Sequence, residues 1–159
     1  YTVGQVMLEA ADRLVAEEGA PALQQYRLLV GALRTLAEGT TDGRRPPTMV
    51  MDSYLLRSLA VAGYAPALDA CSRCGVASPQ QWFSPASGGM VCPQCRPSAA
   101  VRPSVETWTL LGALLSGNWP ATRDVSSACQ LESSRLIAAF ASWHLERGLR
   151  SLPLVQRSQ

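Results

Sequence analysis

The chain has 159 residues and 14 basic side chains, and no lysine is among them. Every basic side chain is therefore an arginine, a group suited to planar contacts with carboxylates and phosphates. Compositional bias would produce the same pattern, so the absence alone assigns no partner. There is one histidine, His144, within Trp143-His144-Leu145. A catalytic histidine needs named partners in reach, and a lone histidine here reads as an ordinary helix residue. No G-x-S-x-G, Walker loop, H-E-x-x-H or paired-carboxylate signature occurs, so nothing in the residues argues for an enzyme. No apolar run reaches the ~18 residues of a membrane-spanning helix, and no membrane partner is expected. The opening residues carry no signal-peptide pattern. Charged residues are scarce at 16% while hydrophobic ones make up 47%, which excludes global disorder and leaves enough to build a core. Internal repeats and low-complexity tracts are lacking too.

What is present is unevenly charged. Residues 1–42 carry three arginines against six acids, a net of −3. Residues 43–102 carry six arginines against Asp52 and Asp69, a net of +4. Residues 103–159 have a net of +1. The overall net charge of +2 is too weak to argue for nucleic acid by itself.

Hydrophobic spacing predicts five helices. The first covers 2–18, with Val3, Met7, Ala10 and Leu14 on one face. Gly19 stops it, and Pro21 opens the second, which runs to Ala37 with Leu23, Tyr26, Leu29, Val30, Leu33 and Leu36 inward. A loop of helix breakers spans Gly39 to Pro47. Thr48 is the expected N-cap of the third helix, which ends at Ala62 and buries Leu55, Leu56, Leu59 and Ala60. The fourth covers Ser104 to Ser116, with Val105, Trp108, Leu111 and Leu115 inward. After a turn at Gly117-Asn118-Trp119-Pro120, the last runs from Val125 to Arg147, with Gly148 as its stop. The tail beyond Pro153 is expected to fray. The predicted fold class is mainly α, an irregular helical bundle, and one helical domain is expected over residues 1–159.

Between the third and fourth helices lie Cys71-Ser72-Arg73-Cys74 and Cys92-Pro93-Gln94-Cys95, separated by seventeen residues. That spacing falls in the zinc-binding window for two CxxC pairs. Two residues between cysteines let the chain curl so that both sulfurs face one ion, and two such curls complete a tetrahedron. Gly75 can take the positive φ that a tight knuckle needs as it leaves its bend. Gln81, Trp82 and Phe83 read as one strand, Met90 and Val91 as another, and Pro85 to Gly89 as their turn. Trp82 and Phe83 would cover the site or pack on a helix. The expectation is a zinc-ribbon-like hairpin module with four cysteine ligands at residues 68–97, inserted in the bundle and holding one structural Zn2+. Two redox pairs are the competing reading, but no βαβ pattern surrounds them. Four thiolates leave no open coordination position, which argues against a catalytic metal. Cys129, alone on the last helix, reads as a small buried hydrophobe.

The run Ala60-Val61-Ala62-Gly63-Tyr64-Ala65-Pro66-Ala67-Leu68-Asp69, the Cys71-x-x-Cys74-Gly75 that follows, Phe83-Ser84, and Gly88-Gly89-x-x-Cys92-x-x-Cys95 together resemble the RecO family of bacterial recombination mediators. So does His144-Leu145-x-x-Gly148-Leu149-Arg150-Ser151-Leu152. The arginine-rich, lysine-free style resembles actinobacterial members. In that family an OB-fold precedes the helical region. Nothing here reads as that barrel, so the sequence is expected to correspond to the C-terminal part alone, beginning at Tyr1 rather than Met.

The resemblance implies a non-catalytic DNA repair protein, cytoplasmic and nucleoid-associated. It would bind single-stranded DNA and the acidic tail of single-strand-binding protein, promote strand annealing, and act with RecR to load RecA. An acidic peptide with an aromatic, carboxylate-bearing end needs an apolar slot rimmed by arginine. Charge alone nominates Arg135, Arg147 and Arg150 for that rim, and Arg44, Arg45 and Arg57 for phosphate contact. The alternative is a zinc-ribbon scaffold of a transcription or translation complex with no repair role.

Overall fold

The computed structural model describes residues 3–16, 22–77 and 81–148. Five helices carry the fold: α1 (Val3–Ala16), α2 (Ala22–Glu38), α3 (Pro47–Val61), α4 (Val105–Ser116) and α5 (Ser127–Gly148). A two-stranded antiparallel hairpin, β1 (Trp82–Ser84) and β2 (Gly89–Val91), stands between α3 and α4. A 3-10 turn at Trp119–Thr122 joins α4 to α5, overlapping the predicted turn at Trp119 and Pro120 and running two residues beyond it. The fold class is as the spacing predicts: mainly helical, with a small cysteine-bearing hairpin inserted.

The helix α3 is the hub. It packs against α1, α2, α4 and α5. Its apolar residues Leu55, Leu56 and Leu59 are buried as expected, but so are Asp52, Ser53, Tyr54 and Ser58. A helix surrounded by four others has no polar face to offer solvent, so a one-stripe reading undercounts its burial. The two serine hydroxyls are satisfied by backbone carbonyls, while the Tyr54 hydroxyl is buried without a partner. Ser53 Oγ donates to the Leu114 carbonyl at 2.7 Å, and Ser58 Oγ to the Leu55 carbonyl at 3.1 Å.

Two stripes differ from expectation. On α2, Leu23 and Tyr26 are 61% and 64% exposed while Gln25 is fully buried. Gln25 turns inward because its amide Nε2 donates to the Ser58 carbonyl at 2.8 Å. That bond satisfies the amide nitrogen, while its Oε1 is buried without a partner. On α4, Val105 is 77% exposed, and Thr107, Leu110, Leu111 and Leu114 make the buried face. The α1 face matches expectation: Met7, Ala10 and Leu14 are buried.

The ends follow local chemistry. Ser104 caps α4 by accepting from the Thr107 N–H at 3.1 Å, and Gly117 ends it with φ at 71°. The start of α3 differs from the predicted Thr48 cap. Pro46 occupies the cap, and Pro47 opens the helix, where a missing N–H costs nothing. The predicted stop at Gly19, the start at Pro21 and the tail beyond Pro153 lie outside the described residues.

The α2–α3 loop is latched to the far end of α4. Arg45 Nε donates to Thr122 Oγ1 at 2.8 Å, and its NH2 to the Trp119 carbonyl at 2.9 Å and to Asp42 Oδ2 at 2.6 Å. Arg123 also pairs with Asp42. Hydrogen bonds from Arg123 and then Arg45 hold the Asp42 carboxyl down at about 2.

Candidate metal centre

Each pair of cysteines sits in a turn whose backbone fixes the sulfur positions. In the first, the Cys71 N–H donates to the Val76 carbonyl at 3.1 Å and the Gly75 N–H to the Cys71 carbonyl at 2.9 Å. Gly75 has φ at 76°, the left-handed conformation that closes the turn. In the second, the N–H groups of Cys95 and Arg96 donate to the Cys92 carbonyl at 3.1 and 3.0 Å.

The hairpin brings the turns together. Trp82 pairs with Val91, Phe83 with Met90 and Ser84 with Gly89. The Ser72 N–H donates to the Met90 carbonyl at 2.9 Å, fastening the first turn to β2. Segments on either side widen the ribbon. Ala67 bridges to Gly89, and Phe83 exchanges two hydrogen bonds with Val101, at 2.7 and 3.0 Å. The Gly89 position is restricted: a Cβ there would lie 2.5 Å from the Ala67 nitrogen and close against its carbonyl oxygen.

As a result the sulfurs of Cys71, Cys74, Cys92 and Cys95 all lie within 4.8 Å of one another, with Cys74 and Cys92 at 3.9 Å. A tetrahedron of thiolates around a metal at about 2.3 Å has edges of about 3.8 Å. The donor set therefore fits one thiophilic ion. Cys71 and Cys92 are buried against Val91, and Trp82, Cys95 and Ala100 complete this small cluster. Burial pushes the Cys71 thiol up, but N–H groups of Cys74, Cys92 and Arg73 outweigh it and bring it to about 6. Hydrogen bonding to Cys92 first, then burial, pushes Cys95 up to about 12. Four thiols this close cannot all ionise without a cation between them, which is the condition that a bound metal relieves.

The module is anchored to the bundle by aromatic contacts. Phe83 packs on Phe140 of α5 with centroids 6.1 Å apart, and His144 lies between Phe140 and Tyr64 at 4.3 and 5.5 Å. Burial lowers the His144 pKa, opposed by its hydrogen bond to the Pro85 carbonyl in the hairpin turn. Trp108 Nε1 donates to the Leu68 carbonyl at 2.8 Å. Trp82 and Phe83 thus divide the two expected tasks, Trp82 covering the cysteines and Phe83 seating the module on a helix. Cys129 is buried on α5 and accepts from Thr107 Oγ1 at 3.7 Å.

The nominated arginines do not form one surface. Arg45 spends its guanidinium inside the loop latch, with its side chain only 8% exposed. Arg44 is exposed and donates to the Ala37 carbonyl at 3.1 Å. Arg57 lines a groove of about 420 Å³ between α2 and α3, together with Arg27, Leu28, Ala32, Val50 and Trp119. Its guanidinium rests against the Gly117 cap. Among the described residues, no carboxylate lines that groove. Arg135 is exposed beside a separate apolar strip of Val101, Leu131 and Leu136, where Arg102 and Glu132 also stand. Arg147 falls in the last turn of α5 with its side chain outside the described ones, and Arg150 lies outside the described residues. Sequence reasoning missed Arg27 and Trp119 as groove walls. It also missed Arg96, whose guanidinium carbon sits 3.9 Å over the Trp82 ring. The one available signal was an arginine directly after the last ligand cysteine. Among the described residues, no helix is long and apolar enough to cross a membrane.

The family model described as "Recombination protein O C terminal" matches residues 1–153. A Cutibacterium acnes protein named DNA repair protein RecO is 57% identical over 157 residues, covering 99% of this chain and 64% of that protein. Proteins of the same name from a Nocardioides species and from Thermobifida fusca are each 51% identical, covering 99% of this chain and 64% and 63% of theirs. The chain thus spans somewhat under two thirds of the length of the curated relatives it matches, which are mostly actinobacterial.

Proposed function

The chain belongs to the RecO family of DNA repair proteins, and from that premise we propose that it serves as the helical, metal-stapled part of a recombination mediator. In this reading it binds single-stranded DNA and single-strand-binding protein, promotes annealing, and acts with RecR in loading RecA. It performs no catalysis, and it works in the cytoplasm on the nucleoid. The family match over residues 1–153 carries the reading.

The metal in this proposal is one Zn2+, held by Cys71, Cys74, Cys92 and Cys95. Thiolate donors in a closed tetrahedron suit zinc, and the ion's contribution is structural. It holds together two turns whose own hairpin has only three residue pairs. A hairpin that short is marginal alone.

The groove between α2 and α3 is the proposed dock for the acidic tail of single-strand-binding protein. Arg27 and Arg57 would receive the carboxylates, and Leu28, Ala32, Val50 and Trp119 the apolar side chains. The strip beside Arg135 is the weaker choice because Glu132 stands in its wall, although that carboxylate already accepts from the Ser104 N–H at 2.9 Å. Arg44, exposed on the loop, is the proposed phosphate contact. Arg45 is the poorest candidate because its donors are already used.

The test is binding of a fluorescent acidic peptide with a C-terminal aromatic residue and a free carboxylate. Arg57→Ala should weaken binding about tenfold, and Arg135→Ala should leave it within about twofold, by the scale of charge-assisted hydrogen bonds. No binding by the zinc-loaded wild-type chain would sink the docking reading.

A further inference from the structure

Arg96 is exposed, and its guanidinium carbon sits 3.9 Å from the centre of the half-buried Trp82 ring. An exposed arginine ordinarily roams; here the indole face fixes it and presents its outer plane to solvent. The bridge between Phe83 and Val101 places Arg102 opposite Trp82 in the next register position, on the same face of the ribbon. Arg73 stands exposed on the first cysteine turn. Between Ala70 and Pro103 there is no carboxylate, and Glu132 of α5, which lines the same strip as Arg102, already accepts from the Ser104 N–H at 2.9 Å.

The charge of this face depends on the metal. A divalent ion on four thiolates carries two negative charges, which together with Glu132 balance Arg73, Arg96 and Arg102. The face is therefore close to neutral and does not hold a polyanion by attraction alone. What distinguishes it is a flat, preordered cation backed by an aromatic ring with a second arginine alongside. Unpaired nucleobases stack on arginine planes and aromatic rings, and duplexes hide the faces that would stack.

We propose that the outer face of the cysteine module, centred on Arg96 stacked on Trp82 and flanked by Arg102, binds single-stranded nucleic acid, one base stacking on the Arg96 plane while Arg102 meets a neighbouring phosphate. This rests on the mediator reading and gives it a DNA-contacting surface separate from the peptide groove. The metal enters only as the staple that keeps the two turns, and hence Arg96 and Trp82, in register.

The experiment is fluorescence anisotropy of the full zinc-loaded chain with a labelled twenty-nucleotide oligo-dT across a salt series, alongside the acidic peptide. Arg96→Lys keeps the charge and loses the plane. It should bind several-fold more weakly, with the salt dependence unchanged. Arg96→Ala combined with Arg102→Ala should bind at least tenfold more weakly, with a log–log salt slope shallower by about 0.7, as the one lost phosphate contact of Arg102 requires on a single strand. Zinc content, melting temperature and peptide binding should match the wild type in both variants. Wild-type affinity and slope in both variants would overturn the inference and leave the mediator reading standing. Absence of oligonucleotide binding by the wild-type chain would overturn it as well. Loss of both oligonucleotide and peptide binding in the wild type would take the mediator reading with it.

Discussion

Asp52 stands on the central helix with 3% of its surface exposed, and the Ser134 hydroxyl of α5 is its hydrogen-bond donor. Thr48, Gln130 and Ser133 line the small gap around it, and the Ser133 hydroxyl is itself buried without a partner. Burial dominates and raises the carboxyl from 3.8 to about 6, while the Ser134 bond opposes it. The folded state therefore holds this proton more tightly than the unfolded state does. Stability falls as pH rises from about 4 through about 6, and the loss is complete at neutral pH. A difference of about two pH units, at roughly 1.4 kcal/mol each, makes the ionised carboxylate cost about 3 kcal/mol at pH 7.5. Asp52→Asn keeps the shape and can still accept from Ser134. It should stabilise the protein by up to about 3 kcal/mol at pH 7.5 and by about nothing near pH 4. Urea unfolding of both proteins at pH 4, 5, 6 and 7.5 checks this. Acid also loosens thiolate–metal bonds, but equally in the two proteins, so their difference isolates Asp52. If the variant is no more stable than wild type at pH 7.5, or the difference does not change with pH, the reasoning about Asp52 is wrong.

Gly89→Ala should destabilise the zinc-loaded protein by about 3–5 kcal/mol, because the ribbon must part from Ala67 and lose the Ala67–Gly88 and Met90–Ala67 backbone bonds. Gly88→Ala, whose Cβ would meet only the Ser72 Cβ at 4.0 Å, should cost clearly less in the same chemical unfolding experiment. Arg45→Ala should cost about 2 kcal/mol by denaturant titration, since it removes the bonds that tie the α2–α3 loop to Thr122 and Trp119. Arg44→Ala should leave stability within about 0.5 kcal/mol, as expected of an exposed side chain.

Much of this fold was legible because local chemistry and packing agree. The α1 stripe, the extent of α4 up to Ser116 and the two CxxC pairs each state their role within a few residues. The failures share a cause. Gln25 is buried because a carbonyl on another helix accepts its amide, and Leu23 and Tyr26 are left outside by the same rotation. Periodicity ranks residues by polarity and cannot see that partner. Asp52, Ser53 and Ser58 are hidden because α3 is enclosed by four helices, a fact of topology. The cysteines were identifiable as ligands because metal geometry constrains spacing. The arginines were not, because charge says nothing of which guanidinium is already engaged: Arg45 is spent in a latch, Arg57 faces a groove, and Arg96 lies on an indole.

Most depends on Cys71, Cys74, Cys92 and Cys95 holding one zinc ion as a staple. Metal analysis of the purified chain, paired with thermal unfolding before and after chelation, addresses it directly. About one zinc per chain is predicted, lost in Cys74→Ser, with a large drop in melting temperature when the metal is removed, because structural zinc binding is folding free energy. A metal-free wild-type chain, or one whose melting is unchanged by stripping its zinc, would contradict it.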